Sequence, residues 1–213
     1  MKRARVLLAD DHKIITEGLR SLLEPEFELA GTVEDGRALV AAAQELNPDV
    51  VVADISMPLL NGIEAVRQLK KAGSRAKVIF LTMHPDATYA ARAFEAGASG
   101  FVLKHSASSE LLTAIREALK GRTYITPMIA KDLMHAYKGG PPRRRKPGPN
   151  LTARQREVLQ LVAEGFSAKE IASMLNISAR TVEFHKYRIM EDLNLRTNAE
   201  LIQYAVKHGI ASV

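Results

Sequence analysis

The chain contains no cysteine, which removes disulfide frameworks and every cysteine-based zinc site from consideration. It also lacks any apolar run approaching the roughly 18 residues that span a bilayer. The first residues include Lys2, Arg3 and Arg5, but the apolar run behind them stops at Asp10-Asp11. That is too short and too soon charged for a secretory signal, so a soluble cytoplasmic protein without membrane contact is expected. Apolar residues are not scarce: at 46% of 213 residues they exclude disorder and are enough for one large or two modest domains.

Charge is nearly balanced except in one place. Residues 1–137 carry 17 basic and 17 acidic side chains, and residues 151–213 carry 8 and 7. The excess of the +6 chain therefore sits in residues 138–150, with 5 basic and no acidic side chains, among them Arg143, Arg144, Arg145 and Lys146. Four prolines and three glycines in the same stretch preclude a packed core and predict an extended linker. Its arginines serve either as a solubilising spacer or as contacts to a polyanion such as DNA phosphate.

The first half is organised around Asp49-Val50-Val51-Val52-Ala53-Asp54. A short, largely β-branched apolar run predicts a strand buried on both faces, as in a parallel sheet. Asp54 then stands at the carboxyl end of that strand, where open α/β sheets place ligand sites. Alone, it could equally cap the next helix. Four further strands are expected: Val6–Ala9, Phe27–Val33, Lys77–Thr82 and Ser99–Lys104. Helices alternate with them, closing at Asn47-Pro48, Gly73, Gly97 and Gly121. Strict alternation predicts a doubly wound α/β domain with a five-stranded parallel sheet and right-handed crossovers.

The strand ends share one chemistry: Asp10 and Asp11, Asp54, Thr82 and Lys104 fall on the same carboxyl edge. Clustered carboxylates repel one another. A hard divalent cation relieves this, and oxygen donors suit Mg²⁺, or Mn²⁺. His12 is expected to point away from the pair that precedes it. A cation, a carboxylate nucleophile, a hydroxyl and an ammonium together fit phosphoryl transfer. His84, two residues after Thr82, lies near such a site.

Residues 4–122 resemble a response-regulator receiver domain. The matching residues are Asp10-Asp11, Asp54 with Met57-Pro58 and Gly62, Thr82, and Lys104 preceded by Phe101. The resemblance implies a flavodoxin-like fold in which Asp54 takes a phosphoryl group from a sensor histidine kinase. It implies that Asp11, Asp54 and the carbonyl of Ser56 bind Mg²⁺ directly, with Asp10 acting through water. It also implies that Thr82 and Phe101 relay the event, the ring turning inward. His105 replaces the proline that often follows the lysine, which leaves open whether the Lys104–His105 bond is cis. Phe101 replaces a frequent tyrosine.

Pro127–Tyr137 predicts a further helix with Ile129, Leu133 and Ala136 in a stripe. The reading divides the chain into residues 1–122, a helix and basic linker over 123–150, and a small all-α domain over 151–213. The last region predicts four helices. Two capping boxes, Thr152…Gln155 and Ser167…Glu170, and the turn Asn176-Ile177-Ser178 define a helix-turn-helix. The third helix is expected to bury Val182, Ile189 and Leu193. It would present Arg180, Glu183, Phe184, Tyr187 and Arg188, a mixture suited to base edges in a major groove. Lys169 and Lys186 are expected on the DNA backbone, and His185 in support of the helix.

Leu151-Thr152, Arg156-Glu157-Val158-Leu159, Glu164-Gly165, Lys169-Glu170-Ile171-Ala172, Ile177-Ser178 and Thr181-Val182 make this region similar to the LuxR-type DNA-binding domain. That similarity adds Thr181 to the DNA-facing set and implies dimers on inverted-repeat double-stranded DNA. The whole chain resembles a NarL/FixJ-family regulator. It is expected to switch transcription on phosphorylation, to dimerise when active, and to work beside RNA polymerase. The rival enzyme reading, a hydrolase with an aspartyl-phosphate intermediate, lacks a second aspartate two residues after Asp54, where Ser56 stands, and lacks a substrate cap. Two further readings stay open: a phosphorylation-independent regulator, and a phosphotransfer adaptor whose helical domain binds protein.

Overall fold

The computed structural model describes residues 3–138 and 151–211, so the expected Arg-rich linker lies outside the described residues. The chain forms two compact units. The first runs β1 (Arg5–Ala9), α1 (Lys13–Leu23), β2 (Glu28–Val33), α2 (Gly36–Leu46), β3 (Val50–Ala53), α3 (Gly62–Lys71), β4 (Lys77–Thr82), α4 (Ala87–Glu95), β5 (Gly100–Leu103), α5 (Ala107–Leu119), β6 (Tyr124–Ile125) and α6 (Pro127–Lys138). A single 3₁₀ turn, Lys104–Ser106, links β5 to α5.

All strands pair in parallel in the order β2-β1-β3-β4-β5-β6. Every residue of β3 is buried, as expected of a strand covered on both faces. On one face Leu19 and Leu23 of α1 and Leu111, Ala114, Ile115 and Ala118 of α5 pack on Val6, Leu8, Val50, Val52, Ile79, Leu81 and Val102. The intervening strand residues Leu7, Val51, Phe80 and Phe101 are buried too, as are Leu39, Ala43, Ile63, Val66 and Leu69 of α2 and α3. Each large apolar side chain among these contributes about 1.5–3 kcal/mol on burial, so this layered core dominates the unit's stability.

The structure extends the expected sheet by one strand. Tyr124 N donates to Ser99 O at 3.1 Å and Thr126 N to Phe101 O at 3.0 Å, which aligns β6 beside β5. α6 then packs on α4 and buries Ile129. The stretch read as linker from residue 123 thus begins as part of the first unit.

The second unit comprises α7 (Ala153–Ala163), α8 (Ala168–Leu175), α9 (Ala179–Asp192) and α10 (Asn198–Lys207). Both capping boxes form: the Thr152 hydroxyl accepts from Gln155 N, and the Ser167 hydroxyl from Glu170 N. Ser178 caps α9 through Thr181 N. Asn176 ends α8 in the left-handed region at φ 52°, which asparagine tolerates better than most residues. Val158, Leu159, Leu161, Ile171, Leu175, Val182, Ile189, Leu201 and Ala205 form the core. Leu193 falls past the end of α9 and is only half-buried, less than expected.

Candidate metal centre and nucleic-acid interface

The register carries the strand-end residues to one edge. Ala9 pairs with Ala53, Ala53 with Phe80, and Thr82 with Leu103. The backbone N–H of Asp54 donates to Ala9 O at 2.8 Å and that of Asp10 to Val33 O at 3.0 Å, so both aspartates are fixed as the ladder ends. Asp10 and Asp54 are buried, Asp11 exposed. Donor atoms of Asp10, Asp11, His12 and Asp54 all lie within 4.8 Å of one another.

Lys104 closes the cluster. Its Nζ lies 2.7 Å from Asp10 Oδ2 and 2.7 Å from Asp54 Oδ2. Burial opposes the lysine's charge, but Asp54 and the hydrogen bonds to both carboxylates outweigh it and raise its pKa. It therefore remains an ammonium. Burial pushes the Asp54 carboxyl up, against the pull of Lys104. Asp54 Oδ1 accepts from Ile55 N at 2.6 Å and from Ser56 N at 3.3 Å. Thr82 is fully buried, and its hydroxyl oxygen accepts from His84 N at 3.2 Å. Phe101 is also fully buried. The Lys104–His105 bond is trans, like every peptide bond among the described residues.

Two arrangements were not anticipated. His12 does not point away from the aspartates: its Nδ1 is 3.0 Å from Asp10 Oδ1 and 2.9 Å from Asp11 Oδ1. The cause is local, because Asp10 Oδ1 also accepts the His12 backbone N–H at 3.0 Å and turns the ring back over the pair. His84 Nε2 meets the Ser56 hydroxyl at 3.1 Å, and its ring stacks on Tyr89 at 4.9 Å.

On α9, Arg180, Glu183, Phe184, Tyr187 and Arg188 are exposed. So is Lys169 on α8. Two residues of the expected reading set are partly engaged within the domain. The Thr181 hydroxyl is 2.8 Å from that of Ser178 at the helix cap. Lys186 is half-buried and lies 3.9 Å from Glu183. Arg188 donates to Glu191 at 2.9 Å and stands 5.9 Å from the Phe184 ring centre. The His185 ring lies edge-on to Phe184 and is half-buried.

Residues 6–116 match the response regulator receiver domain, and residues 149–205 match the bacterial regulatory proteins of the luxR family. The chain belongs to the two-component response regulators. It is 33% identical to the transcriptional regulatory protein DegU of Brevibacillus brevis, over 99% of this chain and 96% of that one. It is 32% identical to the response regulator UvrY of Escherichia coli K12, over 97% and 95%. Among solved structures it is similar to the Salmonella typhimurium response regulator RcsB, at 30% identity and TM-score 0.60, covering 97% of this chain and 100% of that one.

A response regulator of this type acts in transcription through its LuxR-type helix-turn-helix, and is not a classical enzyme. Receiver domains bind Mg²⁺ through acidic residues, and the three aspartates here supply the hard oxygen donors that Mg²⁺ takes. Among the described residues no helix is long and apolar enough to cross a membrane.

Proposed function

We propose that Asp54 is the phosphoryl acceptor and that its phosphorylation by a sensor histidine kinase governs dimerisation and DNA binding. The observation that carries this reading is the bridge of Lys104 between the buried carboxylates of Asp10 and Asp54, 2.7 Å from each. A carboxylate nucleophile needs a compensating cation as it meets an anionic phosphoryl group, and a protonated lysine at this distance supplies one.

An oxygen of Asp54 attacks phosphorus, the P–N bond of the kinase phosphohistidine breaks, and an acyl phosphate forms. Mg²⁺, or Mn²⁺, held by Asp11, Asp54 and the Ser56 carbonyl, with Asp10 acting through water, would neutralise phosphoryl charge. Lys104 moves its hydrogen bond from the carboxylate to the phosphoryl oxygens. The Thr82 hydroxyl donates to the same group, which costs it nothing, because its present role towards His84 N is that of acceptor. Thr82 and the buried Phe101 transmit the change. Hydrolysis of the acyl phosphate ends the signal, so catalysis by this chain is confined to its own modification.

Groove reading belongs to Lys169, Arg180, Thr181, Glu183, Phe184, Lys186, Tyr187 and Arg188. RcsB has been solved with promoter DNA in the presence of BeF₃⁻, which supports double-stranded DNA as the partner here. RNA polymerase is the expected neighbour, and the cytoplasm the expected compartment. The decisive experiment is intact mass after incubation with acetyl phosphate and Mg²⁺, with and without Asp54→Asn. One phosphoryl group on the wild type and none on the variant is expected. An unmodified wild type that still binds its promoter would overturn the reading.

A further inference from the structure

The turn that brings the His12 ring back over the aspartates also places an imidazole nitrogen among the donors of the acidic cluster. His12 is the N-cap residue of α1, yet its side chain makes no capping hydrogen bond. Instead the ring reaches back to the acidic cluster, with Nδ1 3.0 Å from Asp10 Oδ1 and 2.9 Å from Asp11 Oδ1. Two donors that occupy neighbouring positions around a small divalent ion, each bonded at about 2.1 Å, are about 3.0 Å apart. The separation from Asp11, a direct ligand in the proposed set, falls on that edge length, whereas the contact with Asp10, which acts through water, is a hydrogen bond. The ring is 59% exposed, so its other nitrogen is free to face water. Lys104 is engaged with the Oδ2 atoms of Asp10 and Asp54, which leaves the Oδ1 side of Asp10 and Asp11 to His12.

We infer that His12 is a nitrogen donor of the divalent-cation site, coordinating through Nδ1 and setting which ion the receiver prefers. The inference rests on the proposed cation-binding acceptor pocket and adds a ligand to it. An all-oxygen site suits Mg²⁺. An imidazole in the set favours later first-row ions, so Mn²⁺ and more strongly Co²⁺ gain relative to Mg²⁺.

The test is calorimetric titration of Mg²⁺, Mn²⁺ and Co²⁺ into the full chain, for the wild type and for His12→Phe, which keeps a flat ring and removes the nitrogen. The Co²⁺-to-Mg²⁺ affinity ratio is expected to fall about tenfold in the variant, with Mg²⁺ affinity changed far less. Pulsed electron paramagnetic resonance of the Mn²⁺-loaded wild type is expected to show a directly bonded ¹⁴N, absent from the variant. The wild-type spectrum stands even if the variant folds poorly. Normal Mg²⁺ binding with an unchanged ratio and no bonded nitrogen would overturn the role of His12 and leave the acceptor pocket intact. No divalent binding by the wild type would overturn both.

Discussion

Lys104 follows β5 and Asp54 follows β3, with β4 between them in the sheet, yet Nζ lies 2.7 Å from Asp54 Oδ2, and the same ammonium lies 2.7 Å from Asp10 Oδ2. Both side chains are almost wholly buried, at 4% exposure each. The lysine therefore neutralises two carboxylates that would otherwise repel across β1 and β3.

Replacing Lys104 by methionine keeps most of the side chain's volume and removes its charge. With the divalent ion chelated, the full chain is expected to lose about 3 kcal/mol, as when one partner of a buried ion pair is deleted. Millimolar Mg²⁺ then restores stability more in the variant than in the wild type, because binding to the native pocket offsets a larger repulsion. Thermal unfolding of both proteins with chelator and with Mg²⁺ checks this. Equal shifts would mean that the lysine does not balance the cluster.

Gly62 permits the pocket to close behind Asp54. A Cβ added there would lie 2.0 Å from the Asp54 carbonyl oxygen, and that oxygen belongs to backbone that cannot swing aside. Gly62 N also donates to Ile55 O at 2.9 Å, tying the start of α3 to the loop after β3. Gly62→Ala is expected to cost about 2 kcal/mol. Because Asp54 itself must shift, phosphorylation by acetyl phosphate is expected to slow by at least about tenfold. Chemical unfolding and the time course of mass gain are the measurements.

Much of this architecture was legible in the sequence. Val50–Val52 declared a strand buried on both faces, and the capping boxes at Thr152 and Ser167 marked helix starts whose hydrogen bonds all form. The polar residues after each strand could be gathered onto one edge because parallel strands place all their carboxyl ends together. β6 was not legible, since two residues, Tyr124 and Ile125, carry no periodicity. Nor was the tie between Thr126 and its neighbours: its hydroxyl donates to Glu110 at 2.6 Å and accepts from Leu103 N at 3.3 Å. Such contacts join residues far apart in the chain and leave no local pattern. The direction of the His12 ring escaped for a different reason: it is set by a turn in which Asp10 accepts the backbone N–H two residues on.

Glu117 offers a pH signature independent of the pocket. A hydrogen bond from Arg122 is the main cause that lowers its pKa from 4.5 to about 2, helped by Lys120. A carboxylate depressed by folding adds stability above its unfolded value, and that stability disappears as pH falls through the folded value. The wild type is therefore expected to exceed Glu117→Gln in thermal midpoint by a constant margin above about pH 5. The margin shrinks between 4.5 and about 2 and is gone below. Salt should narrow it at neutral pH, because the pair is on the surface. A margin that ignores both pH and salt would assign the effect to packing.

Phe184 and Arg188 separate two kinds of contact on the same face of α9. The Phe184 ring is 58% exposed, and its ring neighbours are Arg188 and His185, so stability depends little on it. Phe184→Ala is expected to leave the thermal midpoint nearly unchanged, within about 0.5 kcal/mol. Promoter affinity should fall about tenfold, the loss of one apolar base contact. The dependence of affinity on salt should stay the same, since a phenyl ring displaces no counterion. Arg188→Ala should behave differently if the guanidinium leaves Glu191 for phosphate: binding weakens on specific and unrelated DNA alike, and the salt slope drops by about 1. Binding titrations at several salt concentrations, on promoter and scrambled duplexes, distinguish the two. If both variants lost affinity with the same change in slope, Phe184 would not be reading bases, and α9 would be held on the duplex by charge alone.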